Sequence, residues 1–206
     1  MNRIGILGGT FNPIHVGHLV AAQVAQEEMR LDQVIFVPSF LPPHKTEKNL
    51  ASAADRLAMV RLAIRDNPKF TVSDFEIKKG GKSYSIDTVR FFRKKFPQSS
   101  TLFFIIGADE LNALKGWKDI NELVNLVSFI AVNRPGYKPA GRKLIKHESV
   151  EMPAIDLSSS LIRNRAAAGK STRFLVPDRV ALYIEKAGLY QTTVFITNTF
   201  RQRGEQ

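Results

Sequence analysis

The sequence predicts an α/β protein built on an open parallel sheet of about five strands, with helices on both faces. Short apolar runs alternate along the chain with longer segments whose apolar residues recur at helical spacing. The apolar runs lack the in-and-out alternation of half-exposed strands, which indicates strands buried on both faces. In open parallel sheets, ligands bind outside the carboxyl ends of the strands. We therefore expect a crevice formed by the loops at residues 8–18, 38–48, 107–117 and 133–141.

The first half of the chain supplies three of the predicted strands. Ile4–Leu7 is an apolar run that stops at glycine, and the apolar spacing of Val16–Arg30 predicts the helix after it. Several prolines make the segment up to residue 49 a loop. The other elements of this half are predicted as a strand at Val34–Val37, a helix at 52–65, a weaker strand at Phe70–Val72, a polar turn at Lys78–Lys82 and a helix from Ser85 to about Lys95.

The second half contains two fully apolar strands, Leu102–Ile106 and Val127–Val132, with a helix at 119–126 between them. A linker poor in β-forming residues follows, and two closing helices are predicted at Ser159–Ala168 and Pro177–Ala187. Residues 1–190 are thus expected to form a single domain. Residues 191–206 are expected to be a C-terminal extension of unknown role, either a short strand or an unpacked segment.

Length and composition limit the classes of function. The 206 residues are 44% apolar and 24% charged, which is typical of a globular protein. The absence of cysteine excludes disulfides, thiolate nucleophiles, iron–sulfur clusters and cysteine-rich zinc sites. No apolar run approaches the roughly 20 residues that a membrane helix needs, and Gly8 and Gly9 come too early for a signal peptide. A cytoplasmic protein without a membrane partner is the expectation.

The formal net charge of +11 predicts polyanionic partners, which can be nucleic acid, an acidic membrane face or phosphorylated metabolites. The surplus is concentrated in separate segments at residues 76–96, 134–148 and 163–173. A nucleic-acid surface would interleave aromatic and basic side chains, as Phe91, Phe92 and Phe96 do with their basic neighbours. Their helical spacing is better explained as a core face backed by a solvated basic face.

A glycine-rich turn lies between the first strand and the first helix. The segment Gly8–Pro13 can direct backbone N–H groups and the positive end of the helix at a phosphate. The segment does not match the dinucleotide fingerprint, and no P-loop lysine follows it. A tight strand-to-helix turn without a ligand is the alternative.

Two histidines follow this turn. His15 and His18 are three residues apart at a helix start, so their side chains face the same direction, and Gly17 lets a ligand approach the backbone. A helix-capping histidine and a metal-binding pair are the alternatives. The metal pair lacks evident partners, because the chain has no cysteine and only His44 and His147 as further histidines. The pattern favours stabilisation of the negative charge that develops in phosphoryl transfer.

The segment Gly8–His18 resembles the signature of the nucleotidyltransferase superfamily, whose members carry paired histidines in a His-x-Gly-His motif. Within that superfamily the chain is most similar to the bacterial nicotinate-nucleotide adenylyltransferases. The resemblance covers roughly residues 3–190. The further segments that carry it, in the family's order, are Pro42–Lys45, Ser83–Thr88, Ile106–Asp109, Trp117, Arg134–Tyr137, Ser158–Arg163, Val176–Pro177 and Gly188–Tyr190.

This resemblance implies a Rossmann-like fold of the nucleotidyltransferase type, with helices 159–188 closing the ATP site. It implies adenylyl transfer from ATP to nicotinate mononucleotide in NAD biosynthesis, which gives nicotinate adenine dinucleotide (deamido-NAD) and pyrophosphate. Mg²⁺ would accompany ATP, held by substrate phosphates and water rather than by a protein metal site. The partners would be these small substrates and not nucleic acid or a membrane, and the family allows a homo-oligomer. Pantetheine-phosphate adenylyltransferase is the alternative, against which Trp117 and residues 83–88 argue.

The resemblance also assigns site residues. The catalytic group would be His15, His18, Lys45 and Arg163. ATP would be bound by Gly8, Gly9, Thr10, Phe11, His15, His18, Gly107, Asp109, Arg134, Ser159, Ser160 and Arg163. Nicotinate mononucleotide would be bound by Asn12, His44, Lys45, Tyr84, Ser85, Thr88 and Trp117. The chain departs from the family at two positions. Asn12 stands where the family more often has Asp, and its neutral side chain cannot contribute a negative charge to a metal site. Ser160 stands where Thr is common.

Several of these residues also have an ordinary structural interpretation. Asp109 can be a helix cap, Lys45 a solvated surface residue, and Trp117 a core residue rather than a stacking surface for a flat ring. Ser158–Ser160 can cap a helix whose arginine is solvated. In the ligand-binding interpretation, Ser85 caps the helix that follows, Thr88 occupies its third position, and the free N–H groups there hold an anion.

Overall fold

The computed structural model describes residues 2–42, 50–133 and 145–191. These residues form a six-stranded, wholly parallel sheet in the order β3-β2-β1-β4-β5-β6. The strands are β1 Arg3–Gly9, β2 Gln33–Pro38, β3 Phe70–Val72, β4 Thr101–Gly107, β5 Ser128–Asn133 and β6 His147–Glu151. Strands β2 and β3 extend the sheet on one side of β1, and β4, β5 and β6 extend it on the other side. The point at which the strand order switches sides therefore lies between β1 and β4.

Helices connect and cover these strands. They are α1 Val16–Glu28, α2 Ala53–Ile64, α3 Phe75–Lys79, α4 Ser85–Lys95, α5 Ile120–Leu126, α6 Ser159–Ala167 and α7 Asp178–Lys186, with two short 3₁₀ turns at Ala108–Asn112 and Leu114–Gly116. Within the described ranges, no helix is both long and apolar enough to span a membrane.

Both faces of the sheet are buried, as the non-alternating apolar runs predict. One face packs against α1, α2, α6 and α7, for example through Leu7, Met59 and Val180. The other face packs against α4 and α5, for example through Ile6 and Phe92. The parallel α/β architecture with helices on both faces is therefore confirmed. Because all strands run the same way, the loops after them meet at one edge of the sheet.

Two predictions about the elements are wrong. The linker predicted to be poor in strand contains β6, so the sheet has six described strands rather than five. This strand pairs only with β5 and buries only Val150, so it shows no apolar run. Of the turn predicted at Lys78–Lys82, the first two residues belong instead to the helix α3, whose C-cap is Gly80 with φ +70°. The C-terminal tail predicted as a strand or an unpacked segment lies, from residue 192, outside the described residues.

The basic helix α4 directs its phenylalanine side chains inward. Phe92 is fully buried, and Phe91 stacks on Phe75 with ring centroids 4.1 Å apart. Phe96 packs against the same core, whereas the lysines between them are exposed. The aromatic residues of α4 are therefore core residues, as their spacing predicts, and do not form an exposed platform on which bases could stack.

Candidate active site

A cavity of about 900 Å³ opens at the carboxyl edge of the sheet. Its walls come from the loop after β1, the start of α1, the end of β4 with the 3₁₀ turns after it, and the start of α6. The predicted loops at 8–18 and 107–117 thus lie around one crevice. Ser39 and Pro42 contribute the described part of the loop at 38–48. The loop at 133–141 lies, beyond residue 133, outside the described residues.

Close packing at the end of β1 requires a glycine at position 9. A Cβ atom at Gly9 would lie 2.9 Å from the ring of Phe11, so any side chain there would displace this buried ring. Phe11 itself has φ +49°, a left-handed backbone conformation that residues with a Cβ atom rarely adopt. The loop therefore has a specific and strained shape.

The two histidines stand at the start of α1. His15 is the N-cap residue, and its backbone N–H donates to Nδ1 of His18 at 3.2 Å. The two rings lie 3.7 Å apart, centroid to centroid, and both residues line the cavity. Because Nδ1 of His18 accepts a hydrogen bond, the proton of the neutral ring is on Nε2, which can donate to a ligand oxygen. The capping and the ligand-binding interpretations are therefore compatible.

Helix α6 brings hydroxyl groups and a guanidinium to the cavity. Ser158 caps the helix by accepting from Leu161 N–H at 3.2 Å. The hydroxyl of Ser159 donates to Pro13 O at 2.9 Å. Arg163 donates to Asn12 O at 2.8 Å and to the hydroxyl of Ser160 at 3.1 Å. The start of α6 is thus bound directly to the loop that carries the histidines.

Asn12 is almost fully buried, and its side chain holds protein groups in place. Its Oδ1 accepts from Ala51 N–H at 3.0 Å and from the hydroxyl of Tyr190 at 2.8 Å. Asn12 lines the cavity, as predicted for a ligand contact, but its carbonyl oxygen is used within the protein. The sequence did not indicate this role of Tyr190, which connects the segment after α7 to the loop after β1.

The far end of the cavity is aromatic. Trp117 lines it, and the edge-to-face contacts of its ring with Phe104 and Phe129 anchor it to the core at centroid distances of 5.8 and 6.5 Å. Tyr84 lines the same end, with the ammonium of Lys118 4.7 Å from its ring centroid. Sequence reasoning missed Lys118, because an isolated lysine on a loop gives no pattern. The cavity thus offers a flat, partly apolar surface with a positive charge beside it.

The predicted cap of α4 is wrong. Tyr84 is the N-cap residue, without a side-chain cap bond, and Ser85 is the first helical residue. Thr88 is buried, and its hydroxyl donates to the carboxylate of Glu76 on α3 rather than facing a ligand. Thr88 lies on the face of α4 that packs against α3, so its hydroxyl points into the protein interior. The first N–H groups of α4, at Ser85 and Ile86, still lack intrahelical partners by geometry.

Glu76 is a cavity residue that the sequence did not reveal. It is 7% exposed and lines the cavity. Burial raises the pKa of its carboxyl group, and the hydroxyls of Thr88 and Ser83 and the charge of Lys79 lower the pKa in part. The sequence pattern did not reveal Glu76, because a single glutamate in a short basic segment resembles a solvated surface residue.

Three of the predicted site residues, His44, Lys45 and Arg134, lie outside the described residues. Gly107 and Asp109 line the cavity after β4, as do Gly8, Gly9 and Thr10 after β1. Across the described ranges, no group of three or more histidine, aspartate or glutamate side chains is arranged to hold a metal ion.

The comparisons with known proteins agree with this geometry. Residues 6–165 match the family model described as cytidylyltransferase-like. A nicotinate-nucleotide adenylyltransferase of Desulfitobacterium hafniense is 42% identical over 92% of this chain and 96% of its own. The enzyme so named in Exiguobacterium sibiricum is 44% identical over 92% of this chain and all of its own. The chain belongs to the nicotinate-nucleotide adenylyltransferase family. It is therefore a nucleotidyltransferase.

A solved structure supports the fold of this adenylyltransferase. The nicotinic acid mononucleotide adenylyltransferase of Plasmodium falciparum, complexed with NaAD, superposes with a TM-score of 0.74 over 92% of this chain and 98% of that one. The two are 20% identical, so the likeness concerns the fold. The Rossmann-like sheet of the nucleotidyltransferase type is thus confirmed.

Glu76→Gln should stabilise the protein increasingly as the pH rises. Because the folded-state pKa of Glu76 lies above its unfolded value, this carboxyl group's contribution to stability is lost as the pH rises through the folded pKa. Gln keeps the acceptor for Thr88 without ionising. The measurement is the free energy of unfolding in urea of both proteins between about pH 4 and pH 7.

Glu28→Gln, at an exposed position of α1, is the matched control for removal of one carboxylate. A difference between Glu76→Gln and wild type that stays constant or shrinks with rising pH would show that burial does not control this group.

Proposed function

We propose that this cavity transfers the adenylyl group of ATP to the 5′-phosphate of nicotinate mononucleotide, giving nicotinate adenine dinucleotide and pyrophosphate. The observation that carries the proposal is one continuous cavity with two chemically different ends. Paired histidines, Arg163 and a helix start lie at one end, where phosphates are favoured. Trp117 and Tyr84 lie at the other, where a flat ring can stack. The names of the relatives point to the same substrate.

The reaction needs no nucleophile from the protein. An oxygen of the mononucleotide phosphate attacks the α-phosphorus of ATP, a new phosphorus–oxygen bond forms, and the bond to the bridging oxygen of the β-phosphate breaks. The electron pair leaves with pyrophosphate. The protein then has to hold the reactants in line and stabilise the charge on the phosphate oxygens. ATP enters as its Mg²⁺ complex, so the cation is part of the substrate.

Three side chains are proposed to stabilise the charge on the phosphate oxygens. Nε2–H of His18 donates to a phosphate oxygen, and the guanidinium of Arg163, held by Ser160 and Asn12 O, places a fixed positive charge beside the same loop. Lys45 would bring a further positive charge from its loop. His18 and Arg163 are held by these bonds before the reaction, so they need little reorganisation when negative charge develops.

The ring end of the cavity explains a preference for nicotinate over nicotinamide. The N–H group of Ser85 and the ammonium of Lys118, two residues that line the cavity, are donors that suit the ring carboxylate. An amide would direct its own N–H₂ group at the same donors. Charge-assisted hydrogen bonds of about 1.5–3 kcal/mol each correspond to a preference of roughly tenfold to several hundredfold.

His18→Ala should lower kcat by on the order of 10²-fold or more, because one preorganised donor is lost. The measurement is release of pyrophosphate from ATP and nicotinate mononucleotide, with the thermal unfolding midpoint as a check of folding. His147→Ala is the matched control, since His147 lies on the edge strand β6. Turnover close to wild type in His18→Ala would remove His18 from the reaction.

Arg163→Lys should raise KM for ATP and lower kcat, because the charge is kept but the planar fork that binds Asn12 O and Ser160 is lost. Arg165→Lys, on the same helix but bonded to Ser171 O, serves as the control. Steady-state kinetics with varied ATP distinguish the two. Wild-type kcat/KM for ATP in Arg163→Lys would show that this guanidinium does not bind the triphosphate.

Two variants at the ring end separate affinity from selectivity. Trp117→Ala should lower kcat/KM for nicotinate and nicotinamide mononucleotide alike, because stacking does not distinguish a carboxylate from an amide. Lys118→Met should lower only the value for nicotinate. The measurement is kcat/KM for both mononucleotides at saturating MgATP. Equal values for the two substrates in the wild type would refute the carboxylate site at the start of α4.

A further inference from the structure

Arg56 of α2 is fully buried, although arginine is almost always exposed in proteins unless it is paired. Its guanidinium binds backbone carbonyl oxygens. Nη1 donates to Thr10 O at 2.8 Å and to Ser39 O at 2.7 Å, and Nη2 donates to Phe40 O at 3.0 Å. Nε donates to Ala51 O at 3.1 Å. The rigid fork of five N–H donors suits such a set of acceptors, which a lysine could not reach together.

These carbonyl groups belong to two loops of the cavity. Thr10 lies in the loop after β1, and Ser39 and Phe40 follow β2, its neighbour in the sheet. Arg56 thus ties together the ends of two adjacent strands at the edge where the ligands bind. Because its side chain is inaccessible, it can act on a substrate only through the backbone that it holds.

The carbonyl bonds fix the direction of the neighbouring N–H groups. In a trans peptide the C=O and the following N–H point in opposite directions. Ser39 demonstrates this, since its carbonyl faces Arg56 while the N–H of Phe40 donates to the hydroxyl of Ser83 at 2.9 Å. The peptide between Thr10 and Phe11 is also trans, so the Phe11 N–H points away from Arg56.

The direction of the N–H group matters most at Phe11, whose backbone conformation is unusual. Its φ of +49° is unfavourable for a residue with a Cβ atom, and such a conformation persists only where the surroundings hold it. The bond from Arg56 to Thr10 O acts on the peptide directly before it. Thr10 and Phe11 both line the cavity, next to the histidine pair.

We propose that Arg56 is a positioning residue for adenylyl transfer: it holds the Thr10 carbonyl away from the substrates, so that the Phe11 N–H faces the phosphates. This inference rests on the proposed function. It adds a residue that touches no substrate and acts on the donor pattern of the loop after β1 through its bond to Thr10 O. It also explains why a charged side chain is buried beneath a loop that receives anions.

Arg56→Lys keeps the charge and loses the fork. We expect kcat with MgATP and nicotinate mononucleotide to fall at least 20-fold, with KM for the mononucleotide within about threefold of wild type. Val60→Ala is the matched control, because Val60 is buried one turn further along α2 and its truncation destabilises the core without touching the loop. Both variants are assayed at a temperature at which each is folded, and Val60→Ala should keep its kcat.

A second measurement does not depend on turnover. The ¹⁵N–¹H resonance of Phe11 in the full-length wild type should shift when pyrophosphate is added, and this shift should be lost in Arg56→Lys. If the wild type shows the shift but no pyrophosphate release from the two substrates, the proposed reaction fails and the role of Arg56 at the loop stands.

Three results would overturn the proposal. They are wild-type kcat in a folded Arg56→Lys protein, a Phe11 resonance that does not respond to pyrophosphate in the wild type, and loss of folding in both Arg56→Lys and Arg56→Met while Val60→Ala folds. The last result would make Arg56 a residue required for folding alone.

Discussion

The loop between β1 and α1 is held from several sides, and the rest of the cavity is arranged around it. Arg56 binds it from α2, Ser159 and Arg163 bind it from α6, and Tyr190 binds it from the segment after α7. Most of these bonds take up carbonyl oxygens of the loop. Of the peptides held in this way, the one between Thr10 and Phe11 carries the N–H group that we propose faces the cavity, where an anion can satisfy it. Helices far apart in the sequence thus hold one loop at the end of the central strand, where we propose that phosphates bind.

Charged side chains are distributed unevenly along the cavity. A guanidinium and two imidazole rings lie around the loop after β1, where the phosphates are proposed to bind, in a chain of net charge +11. The ring end contains Glu76, whose carboxyl group is turned toward hydroxyl donors of α4 and of the preceding loop. Lys118 lies over Tyr84 at the same end. A buried carboxyl group with a raised pKa reduces the negative charge near the place where the substrate carboxylate would bind.

The sequence predicted those parts of the fold that bury apolar residues on both faces of the sheet. It missed β6 because an edge strand with one buried residue, Val150, has no apolar run. It found the histidines because their spacing at a helix start is itself a signal. It could not find Arg56, because an arginine in an amphipathic helix is normally solvated and its acceptors are carbonyl groups up to 46 positions away. Thr88 was misassigned, because only the packing of α3 on α4 shows that its hydroxyl points inward.

Direct attack by the mononucleotide phosphate, without a covalent intermediate on the protein, is the step on which all of these roles depend. The stereochemical course at the α-phosphorus tests it, using one diastereomer of an ATP analogue with sulfur on the α-phosphate and ³¹P NMR of the dinucleotide product. A single in-line displacement inverts the configuration at this phosphorus, and inversion is the predicted result. Retention would require two displacements through an adenylyl-enzyme, and would contradict a site built only for positioning and charge stabilisation.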